Sequence, residues 1–205
     1  DVAINNFPES LEKLNLNMCE KILAFNINHL VNLREIYCDS SAITDTAINT
    51  MPVSLKRIDS RSCKNISDFN INHLVNLKEI YCSRSSITDS AINNFPASLE
   101  RIDLSVCENI SDFDISHLVN LKEIDCSLSG VTNSAINIFP DFLERINLRG
   151  CQNISDFNIS HLVNLKQINY IEYDPNDGDE YESLGEEWDL EEDYDDDDSI
   201  IDELW

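Results

Sequence analysis

The string His-Leu-Val-Asn-Leu occurs four times, at 29–33, 73–77, 117–121 and 161–165, with a period of 44 residues and no slippage. A fixed period constrains a fold more than length does. A chain of 205 residues would otherwise suggest one or two globular domains, whereas a repeated unit grows by stacking on its neighbours. Two half-units alternate inside each period. The first, seen at 91–113, reads AINxFPxSLExIxLxxCxxIxDF, and the second, seen at 70–88, reads NIxHLVNLKEIxCxxSxIT.

Each half-unit carries an apolar triplet at strand spacing: Leu11, Leu14 and Leu16; Leu33, Ile36 and Cys38; Leu77, Ile80 and Cys82; Leu99, Ile102 and Leu104. Alternate side chains of a strand point the same way, so the last two members of a triplet enter a core and the residue between them faces out. One such unit cannot bury its apolar face, but a stack shares a continuous core. The pattern is the leucine-rich-repeat signature. It predicts an α/β repeat solenoid with a parallel concave sheet and short helical or irregular convex turns. Eight repeats of alternately 23 and 21 residues fill 1–173, and an acidic tail occupies 174–205. Thr44 and Thr88 read as helix N-caps, and Pro52, Pro96 and Pro140 stop each helical turn soon afterwards.

The first half-unit, with its LExLxLxxCxxIxD core, resembles the cysteine-containing leucine-rich repeat of F-box substrate receptors. That resemblance implies a substrate-recognition module of a ubiquitin ligase, with an F-box upstream of residue 1. Asp1 aligns with Asp45 and Asp89, inside a repeat. The FPxSLE element and the Asn- and Ile-rich composition are similar to repeat proteins of amoebae and large amoeba-infecting viruses.

Repeat columns limit the chemistry. The seven cysteines are spaced alternately by 19 and 25 residues. Members of one column lie two repeats apart, about 10 Å, beyond the reach of a disulfide of about 7 Å between Cα atoms. They are expected to be buried thiols of a reducing compartment. The four sequons, at Asn65, Asn109, Asn153 and Asn158, read as by-products of the repeat. His29, His73, His117 and His161 are equally separated, too far apart to share a zinc ion held by bonds of about 2 Å. They are assigned hydrogen-bonding roles. No column unites a nucleophile, a base and an oxyanion donor, and with four glycines there is no phosphate loop. The expectation is a non-enzymatic protein without metal or cofactor.

Two columns face outward from the strands. Lys13, Glu35, Arg57, Glu79, Arg101, Glu123, Arg145 and Gln167 alternate in sign, and so predict a ladder of cross-strand pairs that fixes register. The second column reads Asn15, Tyr37, Asp59, Tyr81, Asp103, Asp125, Asn147 and Asn169. Its tyrosines are candidate anchors for a protein partner, with Arg34, Lys56, Arg61, Lys78 and Arg84 in the same early repeats.

Net charge is −25, and 17 of the 39 acidic residues lie in 174–205 with no Lys, Arg or His. The tail therefore accounts for −17 and the repeats for −8. Such a tail excludes direct nucleic-acid or anionic-membrane binding and fits a basic protein surface. Trp188, Tyr194 and Trp205 are its candidate contacts. An EF-hand reading fails, because from Asp174 the glycine Gly178 arrives at position 5 of the loop rather than 6. Repeats followed by an acidic tail are similar in architecture to acidic nuclear histone chaperones, which makes histones or other basic proteins an alternative partner. No apolar run approaches the ~18 residues of a membrane span. The expected location is intracellular, in cytoplasm or nucleus, including that of a host cell, or in a virion.

Overall fold

The computed structural model describes residues 3–171. The eight triplets form eight three-residue strands: β1 (Lys13–Asn15), β2 (Glu35–Tyr37), β3 (Arg57–Asp59), β4 (Glu79–Tyr81), β5 (Arg101–Asp103), β6 (Glu123–Asp125), β7 (Arg145–Asn147) and β8 (Gln167–Asn169). They build one sheet in chain order, every neighbouring pair parallel. The register is constant, so Leu14, Ile36, Ile58, Ile80, Ile102, Ile124, Ile146 and Ile168 form one stacked column. The chain is a leucine-rich-repeat solenoid.

Three residues per strand satisfy few backbone groups, and the ladder continues beyond them. Cys38 N–H donates to Asp59 O and Ser40 N–H to Arg61 O, a pattern that recurs down the stack. The residue at the second of these positions must adopt a left-handed conformation: Met18, Ser40, Ser62, Arg84, Val106, Leu128 and Gly150 all have φ between 53° and 66°. Only the last is a glycine, so the sequence carries no glycine signal for this turn.

Helical turns occupy every second connection: α1 (Asp45–Asn49), α2 (Asp89–Ile92) and α3 (Asn133–Ile136). The intervening connections among the described residues are irregular. Thr44, Thr88 and Thr132 hold the N-cap positions, but only Thr132 accepts a hydrogen bond from its own helix, from Ser134 N–H. The Thr44 hydroxyl instead donates to Leu23 O at 3.0 Å and the Thr88 hydroxyl to Asp68. The expected caps thus act as ties between repeats. A helix of four or five residues gains little from capping, whereas an unsatisfied carbonyl in the adjoining turn is costly.

The cysteines follow the same logic. Cys38, Cys82 and Cys126 are buried in the core. Cys63 Sγ donates to Cys38 O at 3.0 Å, Cys107 Sγ to Cys82 O at 3.2 Å and Cys151 Sγ to Cys126 O at 2.9 Å. Serines Ser41, Ser85 and Ser129 alternate with them in that column, all buried. Every cysteine is a free thiol.

Candidate functional site on the strand face

The second outward column holds two distinct groups of residues. In repeats 2–4, Arg57 lies beneath two aromatic rings, its guanidinium carbon 5.8 Å from the Tyr37 centroid and 4.6 Å from that of Tyr81. Arg61 approaches Tyr81 at 6.0 Å and clamps Asp59 through Nη2 at 2.6 Å and Nε at 3.0 Å. Tyr37 and Tyr81 donate to Glu35 and Glu79 at 2.7 and 3.0 Å. Burial raises both phenols to a pKa of about 12, and the neighbouring glutamates add to the shift.

This stack departs from the expectation of two exposed anchors. Tyr81 is buried, at 1% exposure, and Tyr37 is half-buried. Strand alternation does send Tyr81 outward, but Arg57 of the adjacent β3 and Arg61 of the turn that follows it cover its ring, because cation–π contact is favourable there and Asp59 holds Arg61 in place. Of the expected contact residues, Tyr37, Tyr81 and Arg61 belong to one assembly. Arg84 is exposed at the far side of the strands, where Lys64 Nζ donates to its carbonyl at 2.6 Å. Arg34, Lys56 and Lys78 are exposed along the opposite side, immediately before the strands. Trp188, Tyr194, Trp205 and the boundary at 173/174 lie outside the described residues.

In repeats 5 and 6 the same column is acidic. Asp103 and Asp125 are register partners on β5 and β6. Each carboxylate accepts the backbone N–H and hydroxyl of the serine two residues on, Ser105 or Ser127, at 2.6 to 2.9 Å. Burial raises the Asp103 pKa to about 6, with repulsion from Asp125 adding to it, and burial raises Asp125 as well. Asn147 donates to Asp125 at 2.9 Å. The sequence shows these aspartates, but not that two like charges share a half-buried strip.

The charged column forms pairs rather than an unbroken ladder. Lys13–Glu35 and Arg57–Glu79 are 3.4 Å apart, Arg101–Glu123 is 3.2 Å, and Arg145 also reaches Glu123. The histidines are engaged by backbone carbonyls outside the strands. Each Nε2 meets the carbonyl that ends the FP turn of the preceding half-unit: Phe7, Met51, Phe95 and Phe139, at 2.9 to 3.1 Å. Among the described residues, no group of His, Cys, Asp and Glu has a metal-binding arrangement.

No protein-family profile matches the sequence, and no curated protein matches it. Solved structures do. One is an internalin (InlF) of Listeria monocytogenes, with a TM-score of 0.63 at 23% identity, covering 79% of this chain and 48% of the internalin. Another is TLR13, solved as a complex with the RNA ssRNA13, with a TM-score of 0.61 at 18% identity, covering 79% of this chain and 29% of the receptor. The chain thus spans half or less of the length of these proteins. The likeness establishes that this chain has the leucine-rich-repeat fold.

Proposed function

We propose that the chain is a non-enzymatic scaffold that binds a protein partner through the strand face of repeats 2–4. The observation carrying this reading is the Tyr37–Arg57–Tyr81–Arg61 assembly, where the outward columns depart from simple pairing and place rigid aromatic and guanidinium groups together. Tyrosine and arginine dominate interface energetics because they offer large contact area at small entropic cost. Catalysis is disfavoured by the fate of its usual agents: burial pushes the Cys38, Cys82 and Cys126 thiols well up, and the histidines are spent on carbonyls two repeats apart. Surface plasmon resonance with an identified partner tests the reading. Tyr37→Ala is expected to weaken binding by about 1–3 kcal/mol with folding nearly unchanged. Undiminished binding would move the site off this face.

A second reading, substrate recognition for a ubiquitin ligase, draws support from the cysteine column that carries the F-box resemblance, whose thiols bridge successive repeats. An F-box-like segment in the full-length gene product is its test. The basic partner proposed for residues 174–205 is tested by deleting them: binding to histones that is unchanged in strength and salt dependence would remove it. The thiols favour an intracellular location.

A further inference from the structure

In the recurring His-Leu-Val-Asn-Leu string, four of the five residues have structural work. The leucines Leu30, Leu33, Leu74 and Leu77 are in the core, the histidines hold carbonyls, and Asn32 and Asn76 donate to Glu9 O and Val53 O at 2.9 and 3.0 Å. The valine does none of it: Val31 and Val75 are 57% and 62% exposed.

The equivalent position in the first half-units is Glu9, Val53, Ala97 and Asp141. Repeat 3 alone supplies a valine, 50% exposed, which fills the gap between Val31 and Val75. Three residues further on, the second half-units carry Arg34, Lys78, Lys122 and Lys166, while the first carry Glu12, Lys56, Glu100 and Glu144. Opposite charges therefore pair between repeats: Lys78–Glu100 at 2.8 Å, Lys122–Glu100 at 3.3 Å, Lys166–Glu144 at 2.6 Å. Repeat 3 breaks this rule with Lys56, leaving three exposed cations on adjacent repeats in a body whose net charge is −8.

Both departures fall in the same half-unit. Together they turn an alternating edge into a continuous valine row beside a continuous basic row. Neither is needed for stacking, since Glu and other residues serve the equivalent positions elsewhere. Like charges about 4.8 Å apart repel, and among the described residues only Lys78 of the three has a carboxylate partner, Glu100, so the arrangement is costly without a further anionic partner. We propose that this edge of repeats 2–4, formed by Val31, Val53, Val75, Arg34, Lys56 and Lys78, binds an acidic amphipathic helix of another protein. Geometry selects a helix: its turns advance about 5.4 Å, close to the spacing of about 4.8 Å between repeats, so apolar residues at i, i+3 or i+4, and i+7 meet successive valines. An extended strand, repeating its faces about every 6.6 Å, drifts out of step within three repeats.

The probe is a synthetic 18-residue helix-forming peptide with a leucine stripe flanked on one side by glutamates, titrated by fluorescence anisotropy against the full chain. The controls are a scrambled peptide of the same composition and polyglutamate. Lys56→Glu and Val53→Glu restore residue types that the chain itself uses at Glu12 and Glu9, which protects the fold; circular dichroism verifies it. The amphipathic peptide is expected to bind at least tenfold more tightly than either control, more weakly with added salt, and about tenfold more weakly to each variant. Tyr37→Ala is expected to leave this binding intact, which separates it from the strand-face reading. Equal binding of the scrambled peptide or polyglutamate, no binding, or indifference to both edge variants would overturn the proposal.

Discussion

Val106 is a β-branched residue held at φ 57° because its N–H must reach Ser127 O to continue the ladder. The left-handed region costs such a residue about 1–2 kcal/mol, and Gly150 occupies the equivalent turn at φ 66°. Val106→Gly is expected to stabilise the protein by about 1 kcal/mol in urea denaturation. Asp103 presents the opposite case, a residue whose charge rather than backbone is strained. A carboxyl whose folded pKa, here about 6, exceeds its unfolded value of about 3.9 favours the folded state while protonated. Its contribution is full below the unfolded value and is lost as pH rises through the folded one. Asp103→Asn keeps an acceptor for Ser105 and offers Asp125 a donor, as Asn147 already does. It is expected to stabilise by about 1 kcal/mol at pH 7 and to flatten the melting temperature between pH 4 and 7. A variant no more stable than wild type at pH 7 would show that the aspartates do not oppose folding.

At the scale of the element, the joints between half-units are set by side chains that reach one repeat back. Ser54 and Ser98 donate to Leu33 O and Leu77 O at 2.8 and 2.7 Å. The equivalent residue in repeat 7 is Phe142, 50% exposed. Phe142→Ser is expected to restore the bond toward Leu121 O and raise stability by about 1 kcal/mol in chemical denaturation, whereas Ser54→Ala should lose a similar amount. The strands were legible because inward positions repeat with a period of two, and the stack because the 44-residue spacing never slips. The left-handed turns were not, since six of the seven lack glycine. Nor was the covering of Tyr81, which depends on arginines of another repeat rather than on its own neighbours in sequence. The valine and basic edge of repeats 2–4 was legible only in part: Arg34, Lys56 and Lys78 stood out as basic residues, but their alignment with the exposed valines required the register.

At the largest scale, burial among the described residues is nearly uniform through the middle of the stack and relaxes toward both repeat 1 and repeat 8, where Ile168 is 36% exposed. Cys19 is half-buried while the other six cysteines are buried. A thiol reagent is expected to label Cys19 alone at early times and all seven after unfolding; rapid native labelling of several would contradict the buried columns. The stack also has a parity. Arg57 of β3 faces Glu79 of β4, and Arg101 of β5 faces Glu123 of β6, because the two kinds of half-unit alternate. Excising residues 57–100 removes one of each and sets Arg101 beside Glu35, a junction of the kind already present. Excising 79–100 instead sets Arg101 beside Arg57, with like charges opposed and two first-type turns in contact. Such a molecule can lengthen or shorten in even steps only, so the smallest unit its gene can duplicate or lose without penalty is the pair.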